Sequence, residues 1–153
     1  MYYTVAEISE ALNTAKSVIS DRTINSTGYT RGYNDCWSFV VEYDKALRSD
    51  SSNFKLFEDL RYKGPIDFFI KIRKLGYKDY MDLAIKNGYK IITHERPQHG
   101  DIGFEFLRDK IGTVMIADNG SWVSTSEYNE GITIKRAIKF KETLNMIARP
   151  IKG

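Results

Sequence analysis

The 153 residues carry 23 Lys and Arg against 20 Asp and Glu, a net charge of +3, and 42% of them are hydrophobic. That describes one globular domain with mass enough to bury a core, and it excludes collagen-like, low-complexity and strongly polyionic chains. One cysteine cannot form an internal disulfide, no apolar run is long enough to span a bilayer, and Met1-Tyr2-Tyr3-Thr4-Val5 is no signal peptide, so the expected place of synthesis is a cytosol.

In chain order, Thr4-Val5-Ala6-Glu7 is a capping box that opens a helix to about Ile19. Val5, Ile8, Ala11, Leu12, Ala15, Val18 and Ile19 form its apolar stripe. Residues 21–34, rich in Thr, Asn, Ser and Gly, read as a loop. Asp35 is an N-cap candidate for a second helix over about 36–48, with Phe39, Val40, Tyr43 and Leu47 at helical spacing. Ser51 or Ser52 caps a short helix carrying Phe54, Phe57 and Leu60, and Gly64-Pro65 restarts a helix that ends near Leu75-Gly76. A fifth helix runs from Asp79 to Lys86 and stops at Asn87-Gly88.

After Gly88 the pattern becomes short, β-branched and alternating, over 90–93, 102–106, 113–117, 121–124 and 132–135. Asp118-Asn119-Gly120 predicts a tight hairpin. Residues 146–151 predict an edge strand, the place where Pro150 is tolerated. Helices first and an antiparallel sheet second make an α+β fold, a single domain over 1–153.

Cys36 stands at the first position of the second helix. Amides at a helix start favour negative charge, so the position predicts a lowered thiol pKa and a candidate nucleophile. A small buried cysteine in a helix is the bland alternative. Around it, Asp35-Cys36-Trp37-Ser38-Phe39-Val40 resembles the Asp-Cys helix of the NlpC/P60 superfamily, papain-like thiol hydrolases, especially the small versions encoded by tailed bacteriophages. Pro97-Gln98-His99-Gly100-Asp101-Ile102 resembles its Pro-x-x-Gly-Asp strand start. Gly112-Thr113-Val114-Met115-Ile116-Ala117 with Asn119-Gly120 resembles its His-Val-Gly-Ile strand and turn. The resemblance implies a papain-like fold, with N-terminal helices and a helix-start cysteine packed on a C-terminal antiparallel sheet.

It also implies a histidine that accepts the thiol proton and a polar group that orients the ring. Carried across, those slots fall on Thr113 and Ser124, neither of which titrates near neutral pH. His99 and His94 are the only imidazoles that can come from elsewhere, with Glu95 as an orienting group. No metal-ligand spacing, phosphate loop or serine elbow is present, so no cofactor or metal is expected.

The implied function is a structural component of a tailed phage particle, in the tail or neck, built on a degenerate hydrolase fold. The alternative is an active cysteine peptidase or amidase that cuts peptidoglycan during infection. The expected location is the virion, after synthesis in the host bacterial cytoplasm. Expected partners are other particle proteins and, for the alternative, peptidoglycan; nucleic acid is the weakest, since the basic residues form no dense block. Ten Tyr and eight Phe suit protein contacts, with the loop 21–34 and the segment 132–151 as contact regions.

Overall fold

The computed structural model describes residues 1–25, 30–48, 62–125, 133–136 and 146–152. Helix α1 spans Val5–Ile24 and opens as the capping box requires. The Thr4 hydroxyl accepts the Glu7 N–H at 3.1 Å, and the Glu7 carboxylate accepts the Thr4 N–H at 3.0 Å. Its buried stripe is Ile8, Ala11, Leu12, Ala15 and Ile19. The helix outruns the expected stop by five residues. Arg22 bonds the Glu42 carboxylate at 2.6 Å and the Tyr33 carbonyl at 3.0 Å, which ties the last turn to the next helix.

Helix α2, Cys36–Leu47, is buried on nearly all sides from Trp37 to Asp44, as expected of a helix lying between α1 and a sheet. The short helix expected after Ser51 lies outside the described residues. Helix α3, Gly64–Phe68, continues as a π-turn over Phe69–Arg73. Helix α4 spans Tyr77–Lys86, two residues longer at its start than expected. Asp79 takes the Gly76 N–H and Asp109 takes the Tyr77 N–H, each at 2.9 Å.

Among the described residues six strands form one antiparallel sheet: β1 Tyr89–Ile91, β2 Ile102–Leu107, β3 Lys110–Asp118, β4 Ser121–Thr125, β5 Thr133–Arg136 and β6 Met146–Pro150, in the order β1-β6-β2-β3-β4-β5. The architecture is α+β. β6 is therefore not an edge strand, since it pairs with both β1 and β2. Ile147 and Ile151 turn their backbone groups toward β1, so Pro150 presents its nitrogen to the other side, where β2 has already ended. No ladder donor is missing, which is why an internal strand tolerates the proline.

The β3–β4 turn has Asn119 and Gly120 at φ +48° and +87°, the two-residue hairpin that the sequence predicts. The β2–β3 turn has the same shape, with Arg108 and Asp109 at φ +51° and +63°. Side chains alternate across the sheet. Phe104, Val114, Ile116, Val123, Met146 and Ala148 join the helices in the main core. Met115, Ala117 and Trp122 form a second buried cluster on the opposite face. No helix among the described residues is long and apolar enough to cross a membrane.

Candidate functional site

Asp35 starts α2 as the sequence predicts. One carboxylate oxygen accepts the Ser38 N–H at 2.9 Å and the Ser38 hydroxyl at 2.6 Å; the other accepts the Gly32 N–H at 3.1 Å. The turn before it needs glycine. Gly32 has φ +80°, and a Cβ there would lie 2.2 Å from the Tyr62 carbonyl oxygen. Cys36 follows at the first helical position and packs against the main core while keeping part of its surface exposed.

The thiol meets strand β3 at Val114, whose backbone N–H faces the sulfur. That amide is free because the β3–β4 ladder runs only from Asp118↔Ser121 to Ile116↔Val123. Beyond it β4 leaves the ladder, and the Ser124 hydroxyl donates to the Val114 carbonyl at 3.0 Å. The adjacent Thr125 hydroxyl is buried without a hydrogen-bond partner.

The expected lowering of the thiol pKa does not hold. Burial of the sulfur, and after it the Asp35 charge, push it up to about 11. The Val114 and Trp37 amides and the Arg31 charge act in the other direction and are outweighed. A helix-start position favours thiolate only while water or cations help to solvate it. At neutral pH Cys36 is a thiol.

Thr113 precedes Val114 and Ser124 bonds its carbonyl, so both backbones pass near the sulfur, but neither side chain has the parity to face it. Phe104 pairs with Val114 and Glu105 with Thr113, so Thr113 has the parity of Met115, on the face away from the helices. Ser124 has the parity of Trp122 on that same face. The strand residue turned toward Cys36 is Val114, which the strand motif carries only as the position after the histidine slot.

The two histidines are held elsewhere. His99 Nε2 lies 2.9 Å from the Ser9 hydroxyl, and its Nδ1 accepts the Asn119 N–H at 3.2 Å. That acceptance puts the ring proton on Nε2, so the imidazole donates to Ser9. Asn119 follows Asp118, four strand residues from Val114, or roughly 13 Å. His94 is exposed in the loop after β1, and β1 lies three strand spacings from β3, roughly 14 Å. Glu95 does not orient it; its carboxylate pairs with Arg149. Of the six candidates, Cys36, Thr113 and Ser124 come together along the backbone, and neither imidazole joins them.

The Gly100-Asp101 pair is structural. Arg149 grips both Asp101 oxygens at 2.9 Å, and Asp101 also accepts the Gln98 N–H at 2.7 Å. Among the described residues no group of three or more His, Cys, Asp or Glu is placed to hold a metal ion. No protein-family model matches the chain, and no curated protein or solved structure matches it either.

Proposed function

We propose that the chain is a catalytically silent protein of the papain-like NlpC/P60 type that serves as a structural component of a tailed bacteriophage particle, in the tail or neck. One observation carries the silent part. The helix-start thiol faces the Val114 backbone and the apolar core where a hydrolase needs an imidazole, and its pKa is pushed up to about 11. Without a base, a thiol of that pKa has almost no nucleophilic form at neutral pH. The helix-start cysteine packed on an antiparallel sheet supports the papain-like reading. The place in a phage particle rests on the likeness of the segments around Cys36, Gly100-Asp101 and Val114 to phage-encoded members. Residues 26–29 and 137–145, within the expected contact regions, lie outside the described residues.

Two measurements test the reading. Purified peptidoglycan incubated with the protein should release no new amino groups. Release that Cys36→Ser abolishes would replace the silent reading with a working peptidase or amidase. Mass spectrometry of purified virions should find the chain at stoichiometric level, and its absence there would remove the particle role.

A further inference from the structure

We propose that the end of the molecule formed by α3, its π-turn and the β2–β3 turn docks on an anionic lipid bilayer. Three aliphatic side chains stand in solvent there: Ile66 at 78% exposure, Ile70 at 60% and Leu107 at 73%. Ile66 and Ile70 are one turn apart, while Phe68 between them and Ile72 after them turn inward. The π-turn packs against β3, which places the β2–β3 turn on the same side as α3, and aliphatic groups this exposed on adjoining elements mark an interaction surface.

The β2–β3 turn is fixed against this segment. Asp109 holds the Tyr77 N–H at 2.9 Å, and the Phe106 ring meets the Tyr77 ring edge-on at 5.3 Å. A Cβ on Gly76 would lie 2.4 Å from the Asp109 carboxylate, so the approach is close. Arg108 and Asp109 are both left-handed without being glycine, a conformation that persists only where the surroundings impose it. Leu107 and Arg108 are thus displayed beside the link between the π-turn and α4, which carries Lys74.

Charge chooses the occupant. Residues 62–79 carry Lys63, Lys71, Arg73, Lys74 and Lys78 against Asp67 and Asp79, a net +3 that equals the charge of the whole chain. The β2–β3 turn and the residue after it add Arg108 and Lys110 against Asp109, one further positive charge. Protein interfaces are rich in aromatics and poor in lysine, and here the exposed groups are aliphatic and the cations mostly lysine. A nucleic acid would use the cations and leave the aliphatics in water. Aliphatic side chains that enter the headgroup region, ringed by lysines that meet anionic lipid, use both.

The test is co-sedimentation of the full chain with vesicles. It should pellet with phosphatidylcholine vesicles containing phosphatidylglycerol, stay in solution with phosphatidylcholine alone, and be released by added salt. Leu107→Glu and Ile70→Glu should each lower partition by about tenfold or more. Val5→Glu, an equally exposed site at the start of α1, should leave it unchanged. Circular dichroism checks that each variant is folded. Failure of the wild-type chain to pellet with anionic vesicles would overturn the proposal, as would pelleting that neither variant reduces.

Discussion

Val114, and not Thr113, is the β3 residue turned toward Cys36: its N–H faces the sulfur and its side chain lies in the core that the Cys36 helix packs on. The strand alternates strictly here, so one residue decides whether a side chain can meet the thiol at all.

That register gives a direct prediction. Val114→His should bring an imidazole to the thiol and lower its pKa by about 1–3 units, as a nearby cation does. It should also cost roughly 1–3 kcal/mol for burying a polar ring. Thr113→His should leave the thiol unchanged, because its ring projects from the other face. Thiolate absorbance followed through a pH titration of the two variants checks both halves.

The wild-type thiol should react slowly. Its pKa rises from 9.0 to about 11, so modification by iodoacetamide should stay slow through pH 8 and accelerate only toward 11. The unfolded chain holds this proton less tightly than the native one. The group's contribution to stability is therefore lost as pH climbs from about 9 toward 11. Asp35→Asn removes the neighbouring charge and keeps an N-cap acceptor, so modification at fixed pH should speed up. The new amide meets the Gly32 N–H donor to donor, which should cost about 1 kcal/mol in urea unfolding.

The N-caps were legible because their signals are local: Thr4 with Glu7, and Asp35 before an apolar periodicity. So was the Asn119-Gly120 turn. Three features were hidden for physical reasons. Arg108-Asp109 adopts the same turn without a glycine, since a contact from α4 some thirty residues earlier imposes it. The inner position of β6 depends on pairing with strands more than forty residues away, and Pro150 pointed to an edge. The facing of Thr113 was masked by apolar residues on both faces of β3 and by a register shift between Glu105 and Phe106, which leaves Gly112 as the extra residue.

Gly100 should tolerate no side chain. It has φ +94°, and a Cβ would come within 2.6 Å of Ile8 and 2.9 Å of the Tyr43 hydroxyl. That hydroxyl donates to the Gly100 carbonyl at 2.8 Å. Gly100→Ala combines backbone strain with overpacking and should cost about 2–4 kcal/mol, read as a lower urea midpoint.

Arg149→Met should be among the most damaging single changes. It strands the Asp101 carboxylate, which is 1% exposed, and should cost about 3–5 kcal/mol. Replacing both partners, Arg149→Met with Asp101→Leu, should recover much of that loss, since no charge is then left buried alone. Thermal unfolding of the single and double variants checks the ordering.

The strand order also bears on how the chain can fold as it is made. Among the described residues β1 joins the rest of the sheet only through β6, and β6 supplies the arginine that neutralises Asp101. Both partners of β6 are complete by Leu107, well before Met146 is added. While the ribosome adds the residues between, the apolar edges of β1 and β2 and the Asp101 charge wait unpaired. The nascent chain can assemble α1 and α2 early, but the β1 side of the sheet closes only when its last strand emerges. A pause in translation ahead of Met146 would thus leave an open sheet edge exposed to chaperones and proteases.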